Sequence, residues 1–379
     1  MDKKIYDVLI IGKLAGFDII FAEYLSRKGL RCCVARNAAK GEMAEEKASN
    51  LYFAHTHFND KDIVSYGNGL EFLALARKSR LIISFTGSLI GALKAFWFFR
   101  GLLGLPPVVN VTTGSDITEL AVERSMPGLL YRQYLRFADL NWCVAYPQAL
   151  KNIAKLNVPN VVFLRHPYYL IPQPGESAAG GEKRPLRFFH ASHLDWKVSD
   201  PGSHRNSSKG NDRFLRAFAR AVKAGLDAQC VILDRGPDRD LAKKLVKELG
   251  VDGRFIWKPR LTRKELMDEF KAADVVIDQF DIGGFGGIAI EAMSAGRAIM
   301  IYLDENCIRP LYAEMPPVLN CRDEDQIYEA IMRCADRKYV RDLGEHARRW
   351  AYTYHSGETC LDEFLGHYKA LTSGKAVKA

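Results

Sequence analysis

The chain has 379 residues, 48% hydrophobic and 26% charged, with a formal charge of +9. That length accommodates two domains of ordinary size, each with its own core, and the composition excludes a low-complexity or disordered chain. The basic balance suits acidic partners such as phosphorylated substrates or an anionic membrane surface, but the charges are dispersed and no nucleic-acid motif accompanies them, which argues against nucleic acid.

The N-terminus runs directly into Asp7-Val8-Leu9-Ile10-Ile11-Gly12, a buried strand with no signal-peptide cleavage pattern, so a cytoplasmic protein is expected. The eight cysteines form no C-x-x-C pair and several fall in strand patterns, which reads as reduced core residues and no metal site. Further strands are predicted at Cys32–Ala35, Leu81–Phe85, Val108–Thr112, Trp142–Ala145 and Val161–Leu164, separated by helical patterns. The most apolar stretch, Leu81 to Val109, is divided by Ser84, Thr86, Gly87 and Ser88 and closed by Pro106-Pro107, so it reads as strand, helix, strand and not as a membrane span. Within it, Lys94-Ala95-Phe96-Trp97-Phe98-Phe99-Arg100 sets aromatics between cations, a composition that suits either core packing or contact with an anionic lipid interface. His55-Thr56-His57 has metal-like spacing without acidic or cysteine partners and is assigned no role.

Nothing between Ile171 and Pro185 has a strand or helix period, which makes it the candidate linker. Beyond it the alternation resumes, with strands predicted at Arg187–His190, Cys230–Leu233, Phe255–Lys258, Val275–Asp278 and Ala298–Tyr302. Thr262-Arg263-Lys264-Glu265 is a capping-box pattern, and Gly225 and Gly250 follow helical runs as stops. Strand-helix alternation in both halves predicts an α/β chain of two Rossmann-like, doubly wound domains: 1–170 and 186–351 around the linker 171–185, with 352–379 a closing helix. A ligand is expected in the cleft between them, outside the strand C-termini.

Two segments carry chemistry. Gly283-Gly284-Phe285-Gly286-Gly287 leads into a short helix bearing Glu291 and stopped by Gly296. Glycines let the backbone approach an anion, and the first N–H groups of the helix would face it. Upstream, Lys209-Gly210 precedes an amphipathic helix with Phe214, Leu215 and Phe218 on its apolar face, placing a cation where a diphosphate can be neutralised.

GGFGGIAIEAMSAG resembles the donor-binding segment E-G-F-G-x-x-x-x-E-A-M-A-x-G of group 1 glycosyltransferases, the retaining enzymes of GT-B fold grouped as family four. Gly284, Phe285, Gly286, Glu291, Ala292, Met293 and Gly296 match, whereas Gly283 stands where the family has its first Glu. The resemblance implies that Glu291 holds the nucleotide ribose, that Gly284, Phe285, Gly286 and Gly287 line the donor, and that Lys209 and Gly210 grip the diphosphate. Lys209 thereby gains a catalytic part in leaving-group departure. The family's second cation aligns near His193, with Arg205 as the competing residue. In the first half, Thr113-Gly114-Ser115-Asp116 resembles the family's H-G-S-D, with Thr113 in place of His; Asp116 either caps the next helix or binds substrate hydroxyls, and is a catalytic candidate in the second case. The turn Gly12-Lys13-Leu14-Ala15-Gly16 resembles the family's first glycine loop, with Gly16 approaching the donor; it is not G-x-G-x-x-G, and Arg36 stands where a dinucleotide enzyme has an acidic residue.

These readings imply a GT-B glycosyltransferase, retaining and metal-independent. It would use a nucleoside-diphosphate sugar as substrate with no separate cofactor, act on a glycan or lipid-linked acceptor, and work in the cytoplasm or peripherally on the inner face of a membrane. Two alternatives stay open at this point: a nucleotide-sugar epimerase of the same fold, and a nonenzymatic sugar-nucleotide-binding or scaffold protein.

Overall fold

The computed structural model describes residues 4–12, 16–38, 62–93, 99, 101–168, 170, 184–197 and 208–373. Arg205, the pair His55 and His57, the linker over 171–183 and most of Lys94–Arg100 lie outside the described residues. The chain divides into two compact units, Met1–Pro167 with Gly357–Ala379, and Tyr168–Ser356.

The first unit holds a parallel seven-stranded sheet: β1 (Tyr6–Ile11), β2 (Cys32–Asn37), β3 (Ile63–Tyr66), β4 (Ser79–Phe85), β5 (Val108–Val111), β6 (Leu140–Trp142) and β7 (Val161–Val162), in the order β3-β2-β1-β4-β5-β6-β7. Its helices are α1 (Phe17–Arg27), α2 (Gly69–Arg77), α3 (Ser88–Leu93), α4 (Ser115–Thr118), α5 (Met126–Phe137) and α6 (Pro147–Leu156). Strand residues alternate between two cores: Leu9, Ile11, Cys33 and Ile82 pack with α2 and α5, while Val8, Ile10, Val34 and Ile83 pack with α1 on the other face. A sheet covered on both faces is the reason these strands read as near-continuous apolar runs. The stretch from 81 to 109 is strand, helix, strand, and no described helix is long and apolar enough to cross a membrane.

The second unit repeats the plan with six parallel strands: β8 (Leu186–His190), β9 (Ala228–Leu233), β10 (Phe255–Lys258), β11 (Val275–Ile277), β12 (Ala298–Ile301) and β13 (Leu319–Asn320), in the order β10-β9-β8-β11-β12-β13. Its helices are α7 (Asn211–Lys223), α8 (Arg239–Glu248), α9 (Arg263–Ala272), α10 (Gly287–Ser294), α11 (Glu305–Ile308), α12 (Glu324–Arg333) and α13 (Arg337–His355). The capping box at α9 forms as its sequence predicts, with Thr262 N donating to Glu265 Oε2 at 2.7 Å and Glu265 N to Thr262 Oγ1 at 3.3 Å. Gly344 of α13 packs so tightly on the backbone of Gly296 that a Cβ there has no room.

The helical pattern that reads as continuous through Tyr352–Leu371 is broken in the structure. Ser356 turns extended (φ −60, ψ 143), and a separate helix, α14 (Gly357–Thr372), belongs to the first unit. Tyr24's ring presses on Gly357 where any side chain would sit, and Phe364 stacks on Trp142 at 5.5 Å.

All eight cysteines are buried and none is in a disulfide, and burial pushes the Cys32 thiol up to about 12, which removes it from thiolate chemistry at neutral pH. The two strands absent from the sequence reading, β3 and β13, are both sheet edges, the first interrupted by Ser65 and the second only two residues long.

Candidate functional site

In a doubly wound sheet the strand order reverses at one point, and the loops that leave the strand ends there diverge to open a crevice. In the second unit that point lies between β8 and β11. Both chemistry-bearing segments begin there: the chain from Ala191 through Lys209 follows β8, and the glycine loop follows β11.

Main-chain bonds hold Lys209 between the two. Its N–H donates to Asp195 O at 2.6 Å and its carbonyl accepts from Phe280 N at 2.8 Å. Gly210 then takes the left-handed conformation (φ 62) that starts α7. Asn211, fully buried, fixes this helix start: its Oδ1 accepts from Asp195 N at 2.9 Å, and its Nδ2 reaches Ser192 Oγ at 3.3 Å and His190 Nε2 at 3.0 Å. Ser192 Oγ in turn donates to Asp278 O at 2.5 Å, tying the end of β8 to the end of β11.

The glycine loop is shaped by a residue that sequence reasoning missed. Gln279 is buried; its Nε2 donates to Gly284 O at 3.0 Å and Tyr302 O at 2.9 Å, and its Oε1 accepts from Ile282 N at 2.6 Å. Gly283, at φ 78, supplies the left-handed step an L side chain resists. Asp281 is held away from any ligand role by Ser208 Oγ at 2.6 Å and by an ion pair with Arg213. Phe285 turns its ring into an aromatic cluster with Trp350 (5.5 Å), His355 (6.0 Å) and Tyr312 (6.3 Å), anchoring the loop on α13. Gly286 precedes α10 in extended conformation, with no side-chain cap, and Gly287 is its first residue. Glu291 lies one turn in and is 8% exposed.

Basic side chains come from three places. His193 is partly exposed and its ring meets the Arg235 guanidinium; partial burial, Arg235 and Lys209 together hold its imidazole below the ordinary histidine range. Arg235 follows β9 and, like Lys209, forms no ion pair among the described residues. Partial burial and the neighbouring Arg260 lower its pKa, marking a locally positive field. Arg235 brings a cation beside His193 that no sequence motif announces. Its signal in the sequence is only its place two residues beyond the end of a strand.

In the first unit, the order reverses between β1 and β4. Gly12 ends β1 at φ 103, Thr86 and Gly87 leave β4 at φ 50 and 69, and Gly16 starts α1 at φ 81 with no side-chain cap. Asp116 is buried, with Oδ1 accepting from Thr113 N at 3.1 Å and Gly114 N at 2.9 Å and Oδ2 from Tyr131 Oη at 2.8 Å. Burial raises its pKa, against the pull of those hydrogen bonds. The carboxylate therefore fixes the Gly114 turn from behind instead of capping α4 ahead of it. Arg36 is buried in an ion pair with Asp18 of α1 and is not offered to a phosphate.

Two Rossmann-like units with these loop arrangements define a GT-B protein. Solved structures agree on the fold: HepE of Anabaena, solved with UDP-glucose, aligns with a TM-score of 0.66 at 14% identity over 96% of this chain and 100% of that one. Sucrose-phosphate synthase of Thermosynechococcus elongatus aligns with a TM-score of 0.64 at 14% identity over 98% and 100%. In sequence, residues 203–309 match the family model for glycosyl transferases group 1, the family that the Lys-Gly and glycine-loop motifs resemble. The 2-deoxystreptamine glucosyltransferase of Streptomyces kanamyceticus is 31% identical over 94 residues, which is 25% of this chain and 24% of that enzyme. This chain thus matches about a quarter of its curated relative's length.

Proposed function

We propose that the protein is a retaining glycosyltransferase that moves a sugar from a nucleoside-diphosphate sugar to a hydroxyl of a glycan, lipid or other acceptor. The observation that carries this reading is the meeting, around the switch point between β8 and β11, of two cations that form no ion pair among the described residues, Lys209 before α7 and Arg235 after the neighbouring β9, with the uncapped start of α10. Negative charge grows on the diphosphate as the sugar departs, and fixed cations and N–H groups placed there stabilise the transition state more than the ground state. In this reading Glu291 accepts hydrogen bonds from the ribose hydroxyls, the backbone of Gly284 to Gly287 lies along the donor, and neutral His193 donates one hydrogen bond to a phosphate oxygen. Asp116 acts through the Gly114 turn that it holds. Because HepE is solved with UDP-glucose, UDP-hexoses are the first donors to try. A thermal-shift panel of nucleoside diphosphates and their sugars tests the reading: a ligand at a hundred times its Kd stabilises by about 2.7 kcal/mol. A panel in which no member raises the melting temperature would sink it.

An anionic membrane surface is the further partner we propose, since the first unit exposes Phe99 (55%) and Leu102 (87%) beside the Lys94 to Arg100 sequence. Aromatic and aliphatic side chains next to cations suit the lipid interface. The expected result is co-sedimentation with vesicles containing anionic lipid, reduced by Phe99→Ser with Leu102→Ser; equal pelleting of wild type and variant removes the surface.

A further inference from the structure

We infer that Asp278 is the counter-charge of Lys209 in the unliganded protein and takes up a proton when a diphosphate arrives, which makes it a positioning residue for a donor it does not touch. The inference rests on the donor-site reading above.

Asp278 follows β11 and is 2% exposed. Its main chain is fixed on two sides, N–H to Met300 O at 3.1 Å and carbonyl to Ser192 Oγ at 2.5 Å, so its side chain has one place to go. That place is directly behind the glycine loop. Oδ2 is buried without a hydrogen-bond partner, and a Cβ on Gly286 would stand 3.1 Å from it. Among the described residues the charge that bears on it is Lys209, from the loop before α7, whose carbonyl accepts from Phe280 N two residues beyond Asp278 at 2.8 Å. The other titratable groups of the neighbouring elements are turned elsewhere: buried His190 of β8 to Asn211, His193 to Arg235, and Asp281 to Ser208 and Arg213; Glu291 is one turn into α10.

A carboxylate behind the N-terminus of α10 opposes any anion in front of it. Burial favours its neutral acid, and the charge on Lys209 pulls it toward the ionised form. A diphosphate that occupies Lys209 takes away that support. The carboxylate then accepts one proton from solvent and becomes the neutral acid, and it returns the proton when the nucleoside diphosphate leaves. Like-charge repulsion at the cradle is thereby removed while the donor is bound.

Binding that takes up a proton weakens as pH rises, by at most about tenfold per pH unit between the carboxyl's free and bound pKa values. The test is calorimetric titration of UDP in buffers of differing ionisation enthalpy, on wild type, Asp278→Asn and His193→Gln. The expected result is proton uptake in wild type and His193→Gln, reduced by close to one proton in Asp278→Asn, which binds UDP at least as tightly as wild type above the window. A purely structural role would weaken binding at every pH. Wild-type uptake in Asp278→Asn, or its loss in His193→Gln alone, overturns the inference. Should Asp278→Asn not fold, the infrared difference spectrum of wild type on adding UDP decides: a new protonated-carboxyl band is expected, and its absence overturns the inference. Wild type that binds no UDP or other nucleoside diphosphate refutes the donor-site reading itself, a separate outcome.

Discussion

Lys209→Ala is expected to abolish the thermal stabilisation given by nucleoside diphosphates and to lower turnover by about 10²–10³, the loss seen when one preorganised charge-stabilising group is removed. The fold should survive it. The bonds that clamp this segment, to Asp195 and from Phe280, belong to the main chain, and the Lys209 side chain is only half-buried, so the change in melting temperature without ligand should stay within about 0.5 kcal/mol of stability. Losing the ammonium leaves Asp278 without its counter-charge, but burial already favours its neutral acid, which limits the cost of the orphaned group. Arg235→Ala should act in the same direction with a smaller effect, because Lys209 remains. Circular dichroism separates folding from binding here. A folded Lys209→Ala that UDP stabilises as well as wild type would remove Lys209 from the donor site and with it the main support for the transferase reading.

The sequence makes legible whatever is local. Buried strands announce themselves as apolar runs because helices cover both faces of each sheet, and Lys209-Gly210 and the glycine loop are read from their place between a strand and a helix. The edges β3 and β13 escape because Ser65 interrupts the first and the second is only Leu319-Asn320, whereas the equally short edges β7 and β10 sit in apolar runs. The site is incomplete in the sequence for a different reason. A switch point gathers the ends of β8, β9 and β11, which are some 45 residues apart along the chain, so Arg235 enters beside His193 without any motif to announce it. Gln279 and Asp278 look like the polar end of a strand until the structure shows one shaping the loop and the other lying beneath it. Asp116 misleads by direction: a helix-start aspartate is expected to serve the N–H groups ahead, and this one serves the two behind it.

Gly236→Ala is expected to destabilise the second unit by about 2–5 kcal/mol and to weaken nucleotide binding in whatever fraction stays folded. Gly236 sits at φ 120, where an L side chain is strained, and its Cβ would lie closer than 3.0 Å to the O, N and C atoms of Leu194. These are backbone atoms with nowhere to move: Leu194 N donates to Arg235 O at 3.0 Å, and Leu194 O accepts from Asp238 N at 3.0 Å. Strain of about 1–2 kcal/mol and overpacking of about 1–3 kcal/mol therefore add. For a unit of this size that is roughly a 10 °C fall in melting temperature. The glycine also sets the approach of the β8 loop to the β9 loop, so pushing Leu194 away carries His193 from Arg235 and splits the cationic face. Gly253→Ala is the control, since nothing lies within 4 Å of its Cβ and its backbone is ordinary, and it should change little. Equal melting temperatures for the two variants would mean that the contact between these loops is slack, and that His193 and Arg235 are brought together by the ligand and not by the fold.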